Sequence, residues 1–144
     1  GQLLGFPVLL LHDLLLALMA DDRPDVRNAS HEHFLVEAAS SALLRSALLE
    51  DTKNNRIQPG TLRAAVSKGL YSGDEAIAIV RLLQSEDARL RYAALPILDS
   101  KYLDPDQVRN ECSRLLTDKE LDIREGASKA LHNLESSYSE SRKL

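Results

Sequence analysis

The stretch "TDKELDIREGASKAL", residues 117–131, decides how this chain folds, because two earlier stretches repeat its spacing. Arg124 follows Ile123, Ala127 and Leu131 stand three and seven positions after it, and Asp118 stands six before. "QSEDARLRYAALPIL", residues 84–98, has Leu90, Arg91, Ala94 and Leu98 at the same offsets, with Ser85 in place of the acid. "ADDRPDVRNASHEHF", residues 20–34, repeats it again through Asp21, Val26, Arg27, Ser30 and Phe34. Internal repetition at intervals of this size signals stacked supersecondary units. Arg91 and Arg124 are 33 positions apart and Arg27 and Arg91 are 64, which leaves room for one degenerate copy. Leu62 and Arg63 fit it, with Val66 and Leu70 at the later places and Ile57 replacing the acid.

The composition is that of a folded helical chain. Of 144 residues 44% are apolar, enough for a real core, while only 4% are aromatic and there is no Trp. Leu and Ala in such abundance favour close-packed helices over a sheet built from β-branched and aromatic pairs. A net charge of −4 argues against a broad nucleic-acid face, since Lys and Arg are scattered among acids. A single cysteine, Cys112, excludes an internal disulfide and suits a reducing compartment.

Turn and cap signals divide the second half into helix pairs. Ser72 and Glu75 fit a Ser-x-x-Glu capping box before "AIAIVRLL", and "SEDARL" opens a partner helix with carboxylates in its first turn. Asp104 and Pro105 start the next helix, whose apolar stripe is Val108, Cys112, Leu115 and Leu116. Its partner begins near Asp118 and carries Ile123, Ala127, Ala130, Leu131 and Leu134 inward, with Asp122, Glu125 and Lys129 outside. The first half is less regular. "PDVRNASHEHFLVEAASSALLRSALLE" reads as one long helix or as two broken near Ser40 and Ser41, and the spacing favours two. "TKNNRIQPG" is a loop, and "TLRAAVSKGL" a short helix opened by Thr61. The end, residues 137–144, is a polar tail without periodicity, expected to be frayed.

The apolar run "LLGFPVLLLHDLLLALMA" contains Pro7, His12 and Asp13 and lacks a basic flank or a cleavage pattern, so it reads as a covered helix of a stacked array rather than a membrane span or signal. Leu9, Leu10, Leu14, Leu16 and Leu18 do not all fit on one inward face. Some of them are therefore expected to form an exposed apolar patch, able to attract a partner or another copy of the chain, at the open side of a longer array of which this chain is the C-terminal part.

Asp118…Ile123-Arg124…Ala127…Leu131, matched in part by the copies at Arg27 and Arg91, resembles the second-helix signature of HEAT repeats. The resemblance implies an all-α fold, a right-handed α-solenoid of stacked antiparallel helix pairs in about three to four repeats over residues 1–136. It also implies a ladder of bonds between adjacent repeats, carried by Asp21, Arg27, Arg91, Asp118 and Arg124. Ser85 and Ile57 interrupt that ladder, and the 33-residue spacing is shorter than the roughly 40–47 residues of HEAT and armadillo units.

The same architecture follows from packing. A helix pair cannot bury its apolar face alone, and small residues such as Ala94 and Ala127 let neighbouring helices approach. An arginine at the seam can hold a carboxylate and a backbone carbonyl with one planar fork. Pro96 lies inside a helical stretch, where it removes a hydrogen bond and kinks the chain.

No constellation for catalysis or metal binding stands out, and no cofactor is implied. His31 and His33 point to different sides of a helix, and His33 with Glu37 supplies only two ligands. Cys112 lies on an apolar stripe, where a thiol is inert. His12 and Asp13 read as a polar contact between helices. The triplet "NAS" at Asn28 lies within a helix, which sets aside its reading as a glycosylation acceptor. The chain therefore reads as a non-enzymatic, intracellular scaffold or adaptor, cytoplasmic or nuclear, that binds another protein with Leu10, Leu14, Arg81 and Arg89 as partner-binding candidates. The alternative is a nucleic-acid-handling module in which Arg81, Arg89, Arg91, Lys101, Arg109 and Arg114 form a basic stripe against phosphates.

Overall fold

A computed structural model of the chain describes the backbone of residues 2–143 and the side chains of residues 7–137. All regular structure among the described residues is helical. The chain packs as two compact units, residues 1–70 and residues 71–144, where its sequence suggested one domain over 1–136 followed by a tail. Gly69 and Gly73, with φ of 75° and 55°, flank the boundary. Both take backbone turns that a side chain would strain.

The first unit holds α1 (Gln2–Met19), α2 (Pro24–Ser40), α3 (Ala42–Lys53) and α4 (Pro59–Ser67). Helix α1 lies against α2 and α3, and α4 lies against α2 and α3. Leu15, Phe34, Ala38, Leu44, Leu48, Leu62 and Ala65 fill the space between them. The starts of α2, α3 and α4 have local causes. Pro24 and Pro59 occupy the first helical turn, where the missing N–H costs nothing. Ser41, at φ −135°, breaks α2 from α3 and its hydroxyl accepts the Leu44 N–H at 3.2 Å. The favoured division near Ser40 and Ser41 is therefore the observed one. Helix α4 begins two residues before Thr61, because Pro59 sets the first φ, and Thr61 is instead buried within it. It ends in a Schellman arrangement: Leu70 N–H donates to Ala65 O and Gly69 N–H to Val66 O.

The second unit holds α5 (Asp74–Leu82), α6 (Ala88–Ala94), a 3-10 segment (Leu95–Asp99), α7 (Pro105–Leu115) and α8 (Leu121–Lys143). Helix α5 packs on α6, α7 on α8, and α6 on α8, while the 3-10 segment touches all four. Ile79, Leu83, Ala93, Ile97, Val108, Cys112, Leu115, Ile123 and Ala127 form the core. Asp104 accepts the Gln107 N–H at 2.8 Å ahead of Pro105, as the cap signal suggested. The start of α5 differs from its sequence reading. Its cap is Gly73 rather than Ser72, and Glu75 N–H donates to the Ser72 backbone carbonyl. A glycine that reaches positive φ turns the chain into the helix without a hydroxyl.

Pro96 does alter the helix. Helix α6 stops at Ala94 and the chain tightens into the 3-10 segment, whose looser bonding tolerates the missing N–H. On α8, Gly126 faces this segment so closely that an added Cβ would lie 2.8 Å from Leu95 Cδ1. The α7 and α8 stripes are buried at Val108, Cys112, Leu115, Ile123, Ala127 and Ala130; Leu131 and Leu134 are half-buried, and Leu116 is exposed at the end of α7. Residues 137–143, expected to fray, continue α8 as helix, since no Gly or Pro interrupts the stretch.

Candidate functional site

The repeated arginines share one geometry. Arg27 Nη1 donates to Asp21 O at 2.8 Å and Asp22 O at 2.9 Å. Arg91 Nη1 donates to Ser85 O at 2.9 Å and Glu86 O at 3.1 Å. Arg124 Nη1 donates to Asp118 O at 2.7 Å and Lys119 O at 3.1 Å. In each case a guanidinium near the start of one helix clamps the carbonyls of the turn that precedes it. Those carbonyls lie beyond the C-terminus of the previous helix, where backbone acceptors lack helical partners and a cation is favoured. A fourth arginine does nearly the same: Arg45 Nη1 donates to Ala38 O at 3.0 Å and Ala39 O at 3.3 Å. It escaped the sequence reading because Ala39 replaces the acid and bulky Leu48 replaces the small residue. The aliphatic–Arg pair Leu44-Arg45 was the surviving signal.

Of the five residues given to a ladder, Arg91 and Asp118 meet side chain to side chain. Arg91 Nε and Nη2 donate to the two carboxylate oxygens of Asp118 at 2.8 and 3.1 Å, across 27 residues of sequence. Their side chains are only 14% and 7% exposed. Burial pushes the Asp118 carboxyl up, but the Arg91 hydrogen bonds, the Glu120 N–H and the charges of Arg91 and Arg124 together bring it below the usual carboxylate range. Asp21 instead pairs with neighbouring Arg23 at 2.9 Å, and Arg27 and Arg124 donate to backbone carbonyls.

The six basic residues weighed as a phosphate stripe are largely committed elsewhere. Arg91 is inside the clamp just described, Arg89 pairs with Asp87 at 2.8 Å, Arg109 pairs with Asp106 at 3.1 Å, and Arg114 pairs with Glu111 while reaching Leu83 O. Arg81 lies exposed on α5, and the Lys101 ammonium rests 5.7 Å from the centre of the Tyr102 ring. Phosphate contact by Arg89, Arg91, Arg109 or Arg114 would compete with their carboxylate partners.

An uncovered apolar surface lies on α1. Leu9, Leu10 and Leu14 are 54%, 56% and 56% exposed, while Leu15 on the other side is 2% exposed and sits in the core. Helix α1 is thus covered on one face and bare on the opposite one. No helix among the described residues is long and apolar enough to cross a membrane.

Two histidines do structural work within the first unit. His12 Nε2 meets Asp51 Oδ2 at 2.5 Å, with Asp13 Oδ1 3.4 Å from Nδ1 and the Phe34 ring edge-on at 6.2 Å. This ties α1 to α3 around a buried carboxylate, and Arg56 Nη1 lies 3.8 Å from its other oxygen. The His31 ring bonds the fully buried Thr61 hydroxyl and links α2 to α4. Burial pushes its pKa down, against a smaller upward pull from Glu32. His33 and Glu37 make an exposed i,i+4 contact at 3.7 Å. Ser30 of the "NAS" triplet is buried, donating to Val26 O at 2.7 Å. Burial, with smaller contributions from Asp99 and Glu111, pushes the Cys112 thiol up to about 11, so thiolate is scarce near neutral pH.

A small cleft of about 180 Å³ opens in the second unit beside the 3-10 segment, α7 and α8. Leu98, Val108 and Ala130 are buried apolar lining, and Asp99, Asn133 and Ser137 are exposed polar lining. Among the described residues no three His, Cys, Asp or Glu side chains gather as a metal site. Compared with protein-family models, characterised proteins and solved structures, the chain matches none.

Proposed function

We propose that this chain is a HEAT-like α-solenoid module that acts as a non-catalytic scaffold or adaptor, holding another protein on its helical surface in an intracellular assembly. The repeated clamp of Arg27, Arg91 and Arg124 supports the repeat reading, since the same bond pattern recurs at the start of α2, α6 and α8. Packing of α1 on α3 and of α2 on α4, in addition to contacts within each pair, is what stacking of pairs requires. The bare α1 face carries the functional reading: Leu9, Leu10 and Leu14 expose more than half their surface on a helix whose other side is in the core. Apolar surface of this kind marks an interaction site when it is contiguous. Single surface leucines need no such explanation, but three on one helical face gain about 25 cal/mol per Å² once a partner covers them.

The test is an affinity pull-down with mass spectrometry, comparing the chain with a Leu10→Glu, Leu14→Glu variant whose helicity by circular dichroism is unchanged. Proteins retained by the first and lost from the second support the reading. An identical set from both, or no protein enriched by either, refutes it. The alternative, a phosphate-binding stripe, is weakened by the carboxylate pairs of Arg89, Arg109 and Arg114. Salt-dependent retention on generic DNA or RNA would restore it.

A further inference from the structure

We propose that the cleft of the second unit is an anchoring site for one arginine side chain of a partner protein, a proposal that rests on the protein-binding reading and names the chemistry of its ligand. The size of the cleft comes first. About 180 Å³ is below the roughly 300–1,000 Å³ of pockets for cofactors and small organic ligands, and suits a single side chain. Its form comes next. The apolar wall of Leu98, Val108 and Ala130 suits a methylene stem, and small Ala130 on α8 is what leaves the space open against α7.

The lining determines what the tip of that side chain must be. Among the described residues Asp99 is the sole charged lining residue, and the nearest cation in sequence, Lys101, is held over the Tyr102 ring. The Asn133 and Ser137 side chains add polar groups on the α8 side. An aliphatic stem ending in a planar, fivefold donor meets both demands. A guanidinium can bind Asp99 in bidentate fashion and still donate to an amide or hydroxyl oxygen, whereas a glutamate would meet like charge and a leucine would offer Asp99 no ionic partner. The wall that carries Asp99 is locally organised, since the Ser100 hydroxyl accepts the Tyr102 N–H at 3.1 Å and Asp104 caps α7 at 2.8 Å. The site therefore needs little ordering when it is filled.

The experiment is a nitrogen-15 NMR titration of the whole chain with N-acetyl-arginine methylamide, and in parallel with the norleucine, lysine and glutamate counterparts. Saturable shifts should cluster at Asp99, Ser100, Leu103 and Asn133. Arginine should bind about threefold to fivefold tighter than norleucine, the ratio expected of a partly exposed ion pair, and tighter than lysine. Asp99→Asn should erase that preference, and Asn133→Phe, at an exposed position on the wall, should block all four ligands while leaving the rest of the spectrum intact. No saturable shift at these amides overturns the proposal, as does equal binding of arginine and norleucine, tighter binding of lysine, or a preference that survives Asp99→Asn. These results are independent of the α1 pull-down, so either reading can fail without the other.

Discussion

Removing the Arg91–Asp118 pair should cost far more than removing a surface ion pair, and a double-mutant cycle measures the difference. At 14% and 7% exposure the two side chains are screened much less than charges in water. Exposed pairs yield about 0.2–1 kcal/mol, whereas breaking a buried pair costs about 3–5 kcal/mol because one charge is left without its partner. Arg91→Ala also loses two carbonyl bonds to Ser85 and Glu86, and Asp118→Ala loses the bond from Glu120 N–H. We therefore expect about 4 kcal/mol for Arg91→Ala and about 3 kcal/mol for Asp118→Ala. The cycle cancels those private bonds, leaving a coupling of about 2 kcal/mol. Urea denaturation at two salt concentrations is the assay, and the coupling should change little with salt. A coupling below about 0.5 kcal/mol would place the pair among ordinary surface contacts and refute its role as a rung. The pH dependence has a definite sign. The Asp118 carboxyl is held below its ordinary value in the folded chain, so the unfolded chain takes up the proton first. Its contribution is complete above the unfolded pKa of about 3.9 and is lost as pH falls through the lower folded value, and Asp118→Asn should flatten that acid limb.

Ala127→Leu should overpack the fully buried face of α8 and cost about 1–3 kcal/mol, while Lys129→Ala on the exposed face stays within about 0.5 kcal/mol of neutral; equal effects in denaturation would mean the buried stripe is misplaced. Gly126→Ala should fail to deliver the roughly 1 kcal/mol that a helix normally gains from that change, because Leu95 must give way; the gain should reappear when Leu95→Ala is the background. His31 has a folded pKa lowered by burial, so its contribution is full above the unfolded value of about 6.5 and declines as pH falls from there to the lower folded value. Thermal unfolding between pH 7 and 5 should show a slope that His31→Gln reduces; an unchanged slope would assign it to other groups.

Helical content, the break at Ser41 and the α7 and α8 stripes were legible because each has a short-range cause: a period, a cap or a proline. The exposed leucines of α1 were legible too, since one helix cannot turn five leucines the same way. What lay beyond the sequence depends on meetings between distant residues. Nothing around Asp51 foretells that His12 reaches it across 39 positions, and nothing near Gly126 reveals that Leu95 lies against its hydrogen. The cap at Gly73 was missed for another reason: Ser72 and Glu75 present a plausible capping box, but backbone freedom at the glycine between them settles the turn. The cleft was invisible because its wall residues come from three elements and its opening depends on the small size of Ala130.

The arginine clamps have a bearing on how this chain tolerates changes of length. Each one spans a turn with a guanidinium anchored six residues after the first carbonyl it holds, so the turns around residues 20–23, 85–87 and 118–120 are templates of set size. A residue added there would carry the fork past its acceptors. The connection after α3 is built differently: Asn55 sits at φ 63°, and the Arg56 and Ile57 N–H groups both donate to the Asp51 carbonyl, upstream of the bend. Extra residues placed between Asn54 and Asn55 would also have to preserve those two bonds. Graftable positions in this molecule are thus dictated by side chains outside the turns, and a loop's solvent exposure is a poor guide to whether it can be lengthened.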